Sequence, residues 1–185
     1  MSILTPNSFF QNIYEITPEF LKENGIRAIV SDIDNTLVTY DDPEPTEELL
    51  KWFKSLKDAG IKLAFISNNK GDRVELFNRS LGYHAFPNAH KPLIKTMLRA
   101  IKTLGEGKEH TAALGDQILT DILAGNRSGI HTILVPPIKD KTNRITRLKR
   151  YFEKGVLRRY YKHHPEAPDI RKGSPLTKEH VPEKE

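Results

Sequence analysis

The chain has 185 residues, the size of one ordinary domain, and its 29 Lys and Arg against 24 Asp and Glu give a formal net charge of +5. It contains no cysteine, which excludes a disulfide framework, a zinc-thiolate centre and a thiol nucleophile. The first 20 residues have neither a basic start nor an uninterrupted apolar segment, and no stretch approaches the ~20 apolar residues of a membrane span. We therefore expect a cytoplasmic protein, with peripheral attachment to the inner membrane face left open.

The positive charge is concentrated near the C-terminus. Residues 139–164 contain ten Lys and Arg against two acidic residues, whereas residues 1–138 contain 15 against 17. Residues 165–185 hold four of the twelve prolines and only isolated aliphatic residues. We predict a core over 1–138, a basic amphipathic extension over 139–164 that packs on or beside the core, and a disordered tail over 165–185.

Short apolar segments alternate with amphipathic ones from residue 26 to about residue 135. Strands are predicted over 26–30, 61–66, 110–115 and 131–135, because these segments are apolar and bounded by polar residues or glycine. Strands that alternate with helices indicate right-handed crossovers and a parallel sheet. The sequence therefore predicts an α/β fold with three layers, a Rossmann-like parallel sheet flanked by helices.

Helices are predicted in the segments between and after these strands. The start and stop signals of the first three are Thr46 and Gly60, Asp72 and Gly82, and Pro92 and Gly105. A side chain that can cap the first turn, or a proline at the first helical position, predicts each start, and glycine predicts each end. A short fourth helix is predicted over about residues 119–124.

Polar side chains follow three of the predicted strands. These side chains are Asp32 and Asp34 after the first strand, Ser67 and Asn68 after the second, and Asp116 after the third. In parallel sheets the carboxyl ends of the strands meet at one edge, and ligands bind there. Lys91 precedes the proline that is predicted to open a helix, so its ammonium group is expected to reach the same edge, where the helix dipole favours an anion.

Two simpler interpretations compete for the aspartate pair. A calcium loop that starts at Asp32 requires glycine at its sixth position and glutamate at its twelfth, and the chain has Leu37 and Pro43 there. That interpretation fails. An acidic surface turn explains the pair taken alone, because Asp and Asn are common turn residues. It does not explain why Ser67, Lys91 and Asp116 follow in order at further strand ends and helix starts.

The segments "DIDNT", "FISNN", "AHKP" and "GDQILTD" resemble the four motifs of the haloacid dehalogenase-like phosphatase superfamily. Together with "IYEITPEFLKENGIRAIV", they are similar to the subclass IIIA bacterial phosphatases related to the mitochondrial phosphatidylglycerophosphate phosphatase, over about residues 6–160. The resemblance implies a haloacid dehalogenase-like fold. The chain between Asp32 and Ser67 has room for a loop, a helix and a strand, so no cap domain is expected.

The resemblance also implies a reaction. Asp32 would attack a phosphomonoester and form an aspartyl-phosphate, and Asp34 would first protonate the leaving oxygen and then deprotonate the hydrolytic water. Mg²⁺ would cancel the repulsion between the nucleophile and the phosphate, because oxygen ligands suit a hard cation. The expected metal ligands are Asp32, the backbone carbonyl of Asp34, and Asp116.

The remaining predicted site residues contact phosphate or support the ligands. Ser67, the backbone of Asn68, and Lys91 are expected to bind phosphate, and Thr36 is grouped with them as the residue that orients the loop. Asp121, five residues after Asp116, has two open roles. It would hold the metal through water, or it would position Lys91 or Asp116.

The substrate is left open by the residues themselves. A site without a cap favours a large substrate, such as a macromolecule or a lipid headgroup, and the resemblance implies phosphatidylglycerophosphate. A sugar phosphate, a nucleotide or a phosphoprotein is the alternative that keeps the chemistry. The non-enzymatic alternative is an RNA- or ribosome-associated module.

The basic extension bears on this choice. Ile145, Leu148, Phe152 and Val156 recur at helical spacing among arginines and lysines, which is typical of a helix that binds an anionic membrane surface. The same face could instead pack on the sheet, and basic residues with aromatics also suit RNA, the less favoured partner. Gly155 is expected to interrupt this helix.

Overall fold

The computed structural model describes residues 3–42 and 44–139, together with the isolated helical positions Gly155 and Lys162. The rest of the predicted extension and the whole predicted tail over 165–185 lie outside the described residues. Gly155 itself is helical, although the sequence predicts an interruption there. None of the helices among the described residues combines the length and the apolar character needed to cross a bilayer.

Strands and helices alternate along the described chain. Their bounds are β1 Ser8–Phe9, α1 Pro18–Glu23, β2 Ala28–Ser31, α2 Glu47–Asp58, β3 Lys62–Ile66, α3 Gly71–Asn78, β4 His84–Phe86, α4 Lys95–Leu104, β5 Thr111–Gly115, α5 Leu123–Ser128 and β6 His131–Leu134. Turns of 3₁₀ helix lie at Ile13–Glu15 and Lys108–His110, and a π-helical turn at Ile118–Ile122 directly precedes α5.

The six strands form one sheet in the order β1-β6-β5-β2-β3-β4, and every pairing is parallel. The chain runs outward from β2 to β3 and β4, and β5 then pairs with the other side of β2. The strand order therefore switches at β2. Ligands of open parallel sheets bind beyond the carboxyl ends of the strands at such a switch point, and Asp32 is the first residue after β2.

Two apolar clusters cover the two faces of the sheet. On one face, Leu21, Trp52, Phe53 and Phe77 of α1, α2 and α3 pack with Phe65 of the sheet. On the other face, Met97 and Ile101 of α4 and Ala124 of α5 pack with Val30 and Ile66. The predicted three-layer α/β architecture is thus confirmed.

The four predicted strands are confirmed within two residues at each end, and two strands were missed. β1 has two residues and β4 has three, so neither is long enough to show a periodic pattern. The first predicted helix is confirmed as α2, where Thr46 Oγ1 accepts a hydrogen bond of 3.2 Å from the backbone N–H of Leu49. Between Asp32 and Ser67 the described residues comprise only a loop, α2 and β3, as expected without a cap domain.

Two predicted helix starts are wrong. α3 begins at Gly71 with Lys70 as its N-cap residue, so Asp72 lies inside the helix and does not cap it. α4 begins at Lys95, three residues after Pro92, with Ile94 at its N-cap. No helix begins at Pro92, so the predicted dipole contribution beside Lys91 is wrong as well.

Tertiary contacts explain the late start of α4. The backbone N–H of Lys91 donates to Asn68 Oδ1 over 2.7 Å, and the carbonyl of Lys91 accepts from Asn68 Nδ2 over 3.2 Å. Both hydrogen-bonding groups of Lys91 are therefore bound to the loop after β3 rather than to a helical turn. The fourth predicted helix begins within the π-helical turn and extends to Ser128, beyond the predicted residue 124.

Candidate active site

Asp32 lies at the centre of the edge formed by the carboxyl ends of the strands. Its backbone N–H donates to the Leu114 carbonyl of β5 over 2.9 Å, which holds the chain beside that strand. Its side chain is 9% exposed. Lys91 Nζ donates to Asp32 Oδ1 over 2.5 Å, and Thr36 Oγ1 donates to Asp32 Oδ2 over 3.2 Å.

Three aspartates and one lysine form what we call the buried cluster: Asp32, Asp116, Asp121 and Lys91. Each aspartate offers a carboxylate oxygen that lies within 4.8 Å of those of the other two. Lys91 Nζ lies 2.7 Å from Asp121 Oδ1, and the Lys91 side chain is 3% exposed. Lys91 therefore pairs with two of the three buried carboxylates, and within this cluster the acidic groups outnumber the one ammonium group.

This crowding changes the protonation of the cluster. Burial, with Asp121 acting in the same direction, raises the pKa of Asp32 to about 7, although Lys91 opposes the rise. For Lys91, burial acts to lower the pKa, but the carboxylates of Asp121 and Asp32 outweigh it and raise the pKa above its ordinary value. Lys91 is thus held as a cation between two acids.

The buried cluster fits a hard divalent cation. Three carboxylates converge, their charge exceeds that of Lys91, and oxygen is the ligand atom that Mg²⁺ prefers. Asp121 Oδ2 accepts from the backbone N–H of Gln117 over 3.1 Å, which orients this carboxylate. A Cβ on Gly115 would lie 2.3 Å from the Cβ of Asp121, so only glycine lets Asp121 approach the end of β5 so closely.

Asp34 lies in a different set of contacts, which we call the rim cluster: Asp34, Ser67, Asn69 and Arg73. Asp34 Oδ1 accepts from Arg73 Nε over 2.9 Å and lies 2.8 Å from Arg73 Nη2. Asp34 Oδ2 accepts from Asn69 Nδ2 over 2.6 Å and from Ser67 Oγ over 3.3 Å. The carboxylate of Asp34 thus belongs to a charge-balanced group, and its backbone carbonyl remains the predicted metal ligand.

Thr36 and Asn68 support the residues of the buried cluster. Thr36 is 1% exposed, and its hydroxyl lies between Asp32 and Asp116, 3.4 Å from Asp116 Oδ1. Asn35, just before it, has φ 66°, and its N–H donates to the Val38 carbonyl over 2.7 Å, which closes the turn that carries Thr36. The side chain of Asn68 holds the backbone of Lys91, a role that the sequence did not predict.

The structure brings all of the predicted site residues to one edge of the sheet. They are Asp32, Asp34, Thr36, Ser67, Asn68, Lys91, Asp116 and Asp121. Sequence reasoning missed Asn69 and Arg73. Asn69 is the second asparagine of "FISNN", and Arg73 occupies the first turn of α3, so the predicted strand end and helix start were the signals that could have located both.

Comparison with known proteins assigns this site to a family. A family model described as haloacid dehalogenase-like hydrolase matches residues 8–129. A protein named probable phosphatase YqeG from Bacillus subtilis is 45% identical over 152 residues, which cover 82% of this chain and 88% of that protein. Phosphatidylglycerophosphate phosphatase 1 of Arabidopsis thaliana is 26% identical over 84% of this chain, but over only 47% of its own length.

Solved structures of low sequence identity share the fold. An uncharacterized protein from Listeria monocytogenes superposes with a TM-score of 0.51 at 18% identity and covers 64% of this chain and 85% of its own. The cobalt-bound deoxy-D-mannose-octulosonate 8-phosphate phosphatase of Haemophilus influenzae gives a TM-score of 0.50 at 18% identity, over 62% of this chain and 70% of its own. The fold and the motifs agree, the B. subtilis relative supports the expected class of phosphatases, and the chain belongs to the haloacid dehalogenase-like hydrolase family.

Proposed function

We propose that this protein is a Mg²⁺-dependent phosphatase that hydrolyses phosphomonoesters through an aspartyl-phosphate on Asp32. The observation that carries the proposal is the position of Asp32: it follows the central strand, and its carboxylate lies among Lys91, Asp116 and Asp121. Family membership and the relationship to a protein named as a probable phosphatase support the same chemistry.

The two aspartates of "DIDNT" take different steps. Asp32 attacks phosphorus, and the bond from phosphorus to the leaving oxygen breaks while Asp34, in its protonated form, donates its proton to that oxygen. Asp34 then removes a proton from water, the water attacks the aspartyl-phosphate, and inorganic phosphate leaves with Asp32 restored as a carboxylate. The carboxyl groups of Asp32 and Asp34 lie in separate sets of contacts, so each can take its own step.

The other site residues bind and position. Ser67 and the backbone of Asn68 bind phosphate oxygens, and Lys91 supplies positive charge next to the nucleophile. Asp32, the carbonyl of Asp34, and Asp116 would hold Mg²⁺, and the carboxylate of Asp121 completes the acidic set and pairs with Lys91. When bound, the metal ion offsets the repulsion between the Asp32 carboxylate and the anionic phosphate.

As the substrate we propose the phosphomonoester of a lipid headgroup, phosphatidylglycerophosphate. The relationship to the Arabidopsis protein of that name supports this choice. So does the absence of an inserted domain between Asp32 and Ser67 in the described residues. Tyr40 is 45% exposed and its ring centroid lies 5.6 Å from the guanidinium carbon of Arg73, the partner of Asp34, so an exposed aromatic side chain lies beside the site.

The division of the chain is part of the same proposal. The core over 1–138 carries the chemistry. The basic segment over 139–164 contacts anionic lipid at the inner face of the membrane. The tail over 165–185 has no role in this proposal. Attraction of each basic residue to an anionic surface contributes about 1 kcal/mol. A cytoplasmic enzyme held at the membrane in this way would meet its substrate there.

A phosphatase panel tests the proposal. The full chain is assayed for phosphate release from phosphatidylglycerophosphate in mixed micelles, a sugar phosphate, a nucleoside monophosphate and a phosphopeptide, each with Mg²⁺ or with a chelator. We expect Mg²⁺-dependent release with the highest kcat/KM for the lipid. Turnover of the soluble esters alone would refute the lipid substrate. If the protein retains RNA and hydrolyses none of the esters, the RNA- or ribosome-associated binding module would be supported instead of the enzyme.

A further inference from the structure

Arg73 is the one residue of the rim cluster that carries positive charge. It lies in the first turn of α3, and its side chain is 15% exposed, compared with 3% for Lys91. Its Nη2 also donates to the Thr39 carbonyl over 2.8 Å, and its guanidinium carbon lies 5.6 Å from the centroid of the Tyr40 ring. Arg73 therefore joins α3 to the loop that carries Asp34.

In this arrangement the carboxylate of Asp34 is fully occupied. An ionised carboxylate offers about four acceptor positions. Arg73 Nε and Nη2 contact Oδ1, and Asn69 Nδ2 and Ser67 Oγ contact Oδ2. A carboxyl group that protonates a leaving oxygen must direct one oxygen at it, so at least one of these four contacts has to be released when substrate binds.

Ser67 can exchange Asp34 for the phosphate that is cleaved, and Arg73 is the charged contact whose release a further anionic group of the substrate could compensate. Guanidinium groups bind both phosphate and carboxylate oxygens, because their planar donors match both. Lys91 cannot take this role, since it is buried between Asp32 and Asp121. A second negative group on the substrate, next to the phosphate that is cleaved, would replace Asp34 as the partner of Arg73.

We propose that Arg73 is a specificity residue, which pairs with Asp34 in the free enzyme and with a second anionic group of the substrate in the complex. The exchange frees an Asp34 oxygen to face the leaving oxygen, and it selects phosphomonoesters that carry a further negative charge. This inference rests on the proposed function. The shared chemistry is an anionic phosphate oxygen, which the phosphodiester of a lipid headgroup and the second phosphate of a soluble bisphosphate both supply.

The test compares three soluble substrates of the full chain with Mg²⁺. Short-chain phosphatidylglycerophosphate below its micelle concentration carries a phosphodiester, glycerol 1,3-bisphosphate carries a second phosphate, and glycerol 3-phosphate carries neither. We expect kcat/KM of the wild-type protein to be about 10- to 100-fold higher for a substrate with a further anionic group than for glycerol 3-phosphate. This is the range that one charge-assisted hydrogen bond contributes. A preference for the lipid analogue over the bisphosphate would identify the diester as the source.

The variant Arg73→Gln is expected to bring this ratio of kcat/KM values close to one. Arg79→Gln is the matched control, because Arg79 is exposed just beyond the end of the same helix, and it should keep the wild-type ratio. If Arg73→Gln does not fold, Arg73→Lys replaces it and should lower the ratio several-fold, since an ammonium group lacks the planar fork.

Two outcomes would overturn the inference while the proposed function stands. One is a wild-type enzyme that hydrolyses all three substrates with equal kcat/KM. The other is an Arg73 variant that loses activity equally on all three, which would make Arg73 only a clamp between α3 and the Asp34 loop. Failure of the wild-type enzyme to hydrolyse any of them would instead refute the proposed function.

Discussion

The two aspartates of "DIDNT" are two residues apart and have opposite electrostatic surroundings. In the buried cluster around Asp32, three carboxylates converge, and the single ammonium group of Lys91 pairs with two of them, Asp32 and Asp121. In the rim cluster, the one carboxylate of Asp34 is matched by the one guanidinium of Arg73 and by two neutral donors. An excess of buried negative charge favours a metal, and a balanced group at the rim does not.

The largest effect is expected from Asp32→Asn, which keeps the shape of the side chain and removes the nucleophile. We expect kcat to fall by at least about 10⁴-fold and the labelled phosphoenzyme to disappear from acid-quenched reactions. Asp58→Asn is the control, because the Asp58 side chain on α2 is 60% exposed and contacts Lys54 only at the surface. A labelled phosphoenzyme in the Asp32 variant would contradict the assignment.

Asp34→Asn should have a smaller effect that depends on the leaving group. Loss of a general acid costs about 10²- to 10⁴-fold for an alkyl phosphate, whose leaving oxygen needs a proton. With p-nitrophenyl phosphate the formation of the phosphoenzyme should be nearly normal, because the phenolate leaves without protonation, and rapid-quench labelling measures that step. The same loss with both leaving groups would show that the two aspartates do not have separate roles.

The two cations should differ in their effect on stability. Lys91→Met leaves Asp32 and Asp121 buried without their cation, and we expect the metal-free protein to lose about 3–5 kcal/mol of unfolding free energy. Arg73→Met breaks a more exposed pair and should cost about 1 kcal/mol. Urea denaturation in the presence of a chelator measures both. Added Mg²⁺ should raise the unfolding free energy more in the Lys91 variant than in wild type. Equal losses of unfolding free energy in the Lys91 and Arg73 variants would contradict the expected difference between the two cations.

The last expected effect is the pH dependence of Mg²⁺ binding. The pKa of Asp32 is raised to about 7, so a proton competes with the metal below that pH. Apparent affinity should fall about tenfold per pH unit as the pH drops from about 7 to about 5, and it should level off above about 7. Titration calorimetry measures this slope, and Asp32→Asn should flatten it. A Mg²⁺ affinity that does not change between these pH values would show that the competing proton is not bound by Asp32.

Local patterns carried most of the fold prediction. The four apolar strands and α2 were found because burial on both faces, helical periodicity and the Thr46 cap leave signals within a few residues. The predicted starts at Asp72 and Pro92 failed, although both residues suit a helix start. At Lys91 the side chain of Asn68, 23 positions away, binds the backbone, and no short-range pattern contains that contact.

The sequence by itself determined which acids and bases reach the edge of the sheet. Asp32, Ser67 and Asp116 follow predicted strands, and the carboxyl ends of parallel strands meet at the same edge. Only the tertiary structure decided how they are paired. Asp34 contacts Arg73, which is 39 residues away in the sequence, and Asp32 contacts Lys91, which is 59 residues away. These pairs form because the crossovers bring α3 and the loop before α4 to β2. The direction and depth of each side chain at that edge depend on this packing, and local sequence does not encode them.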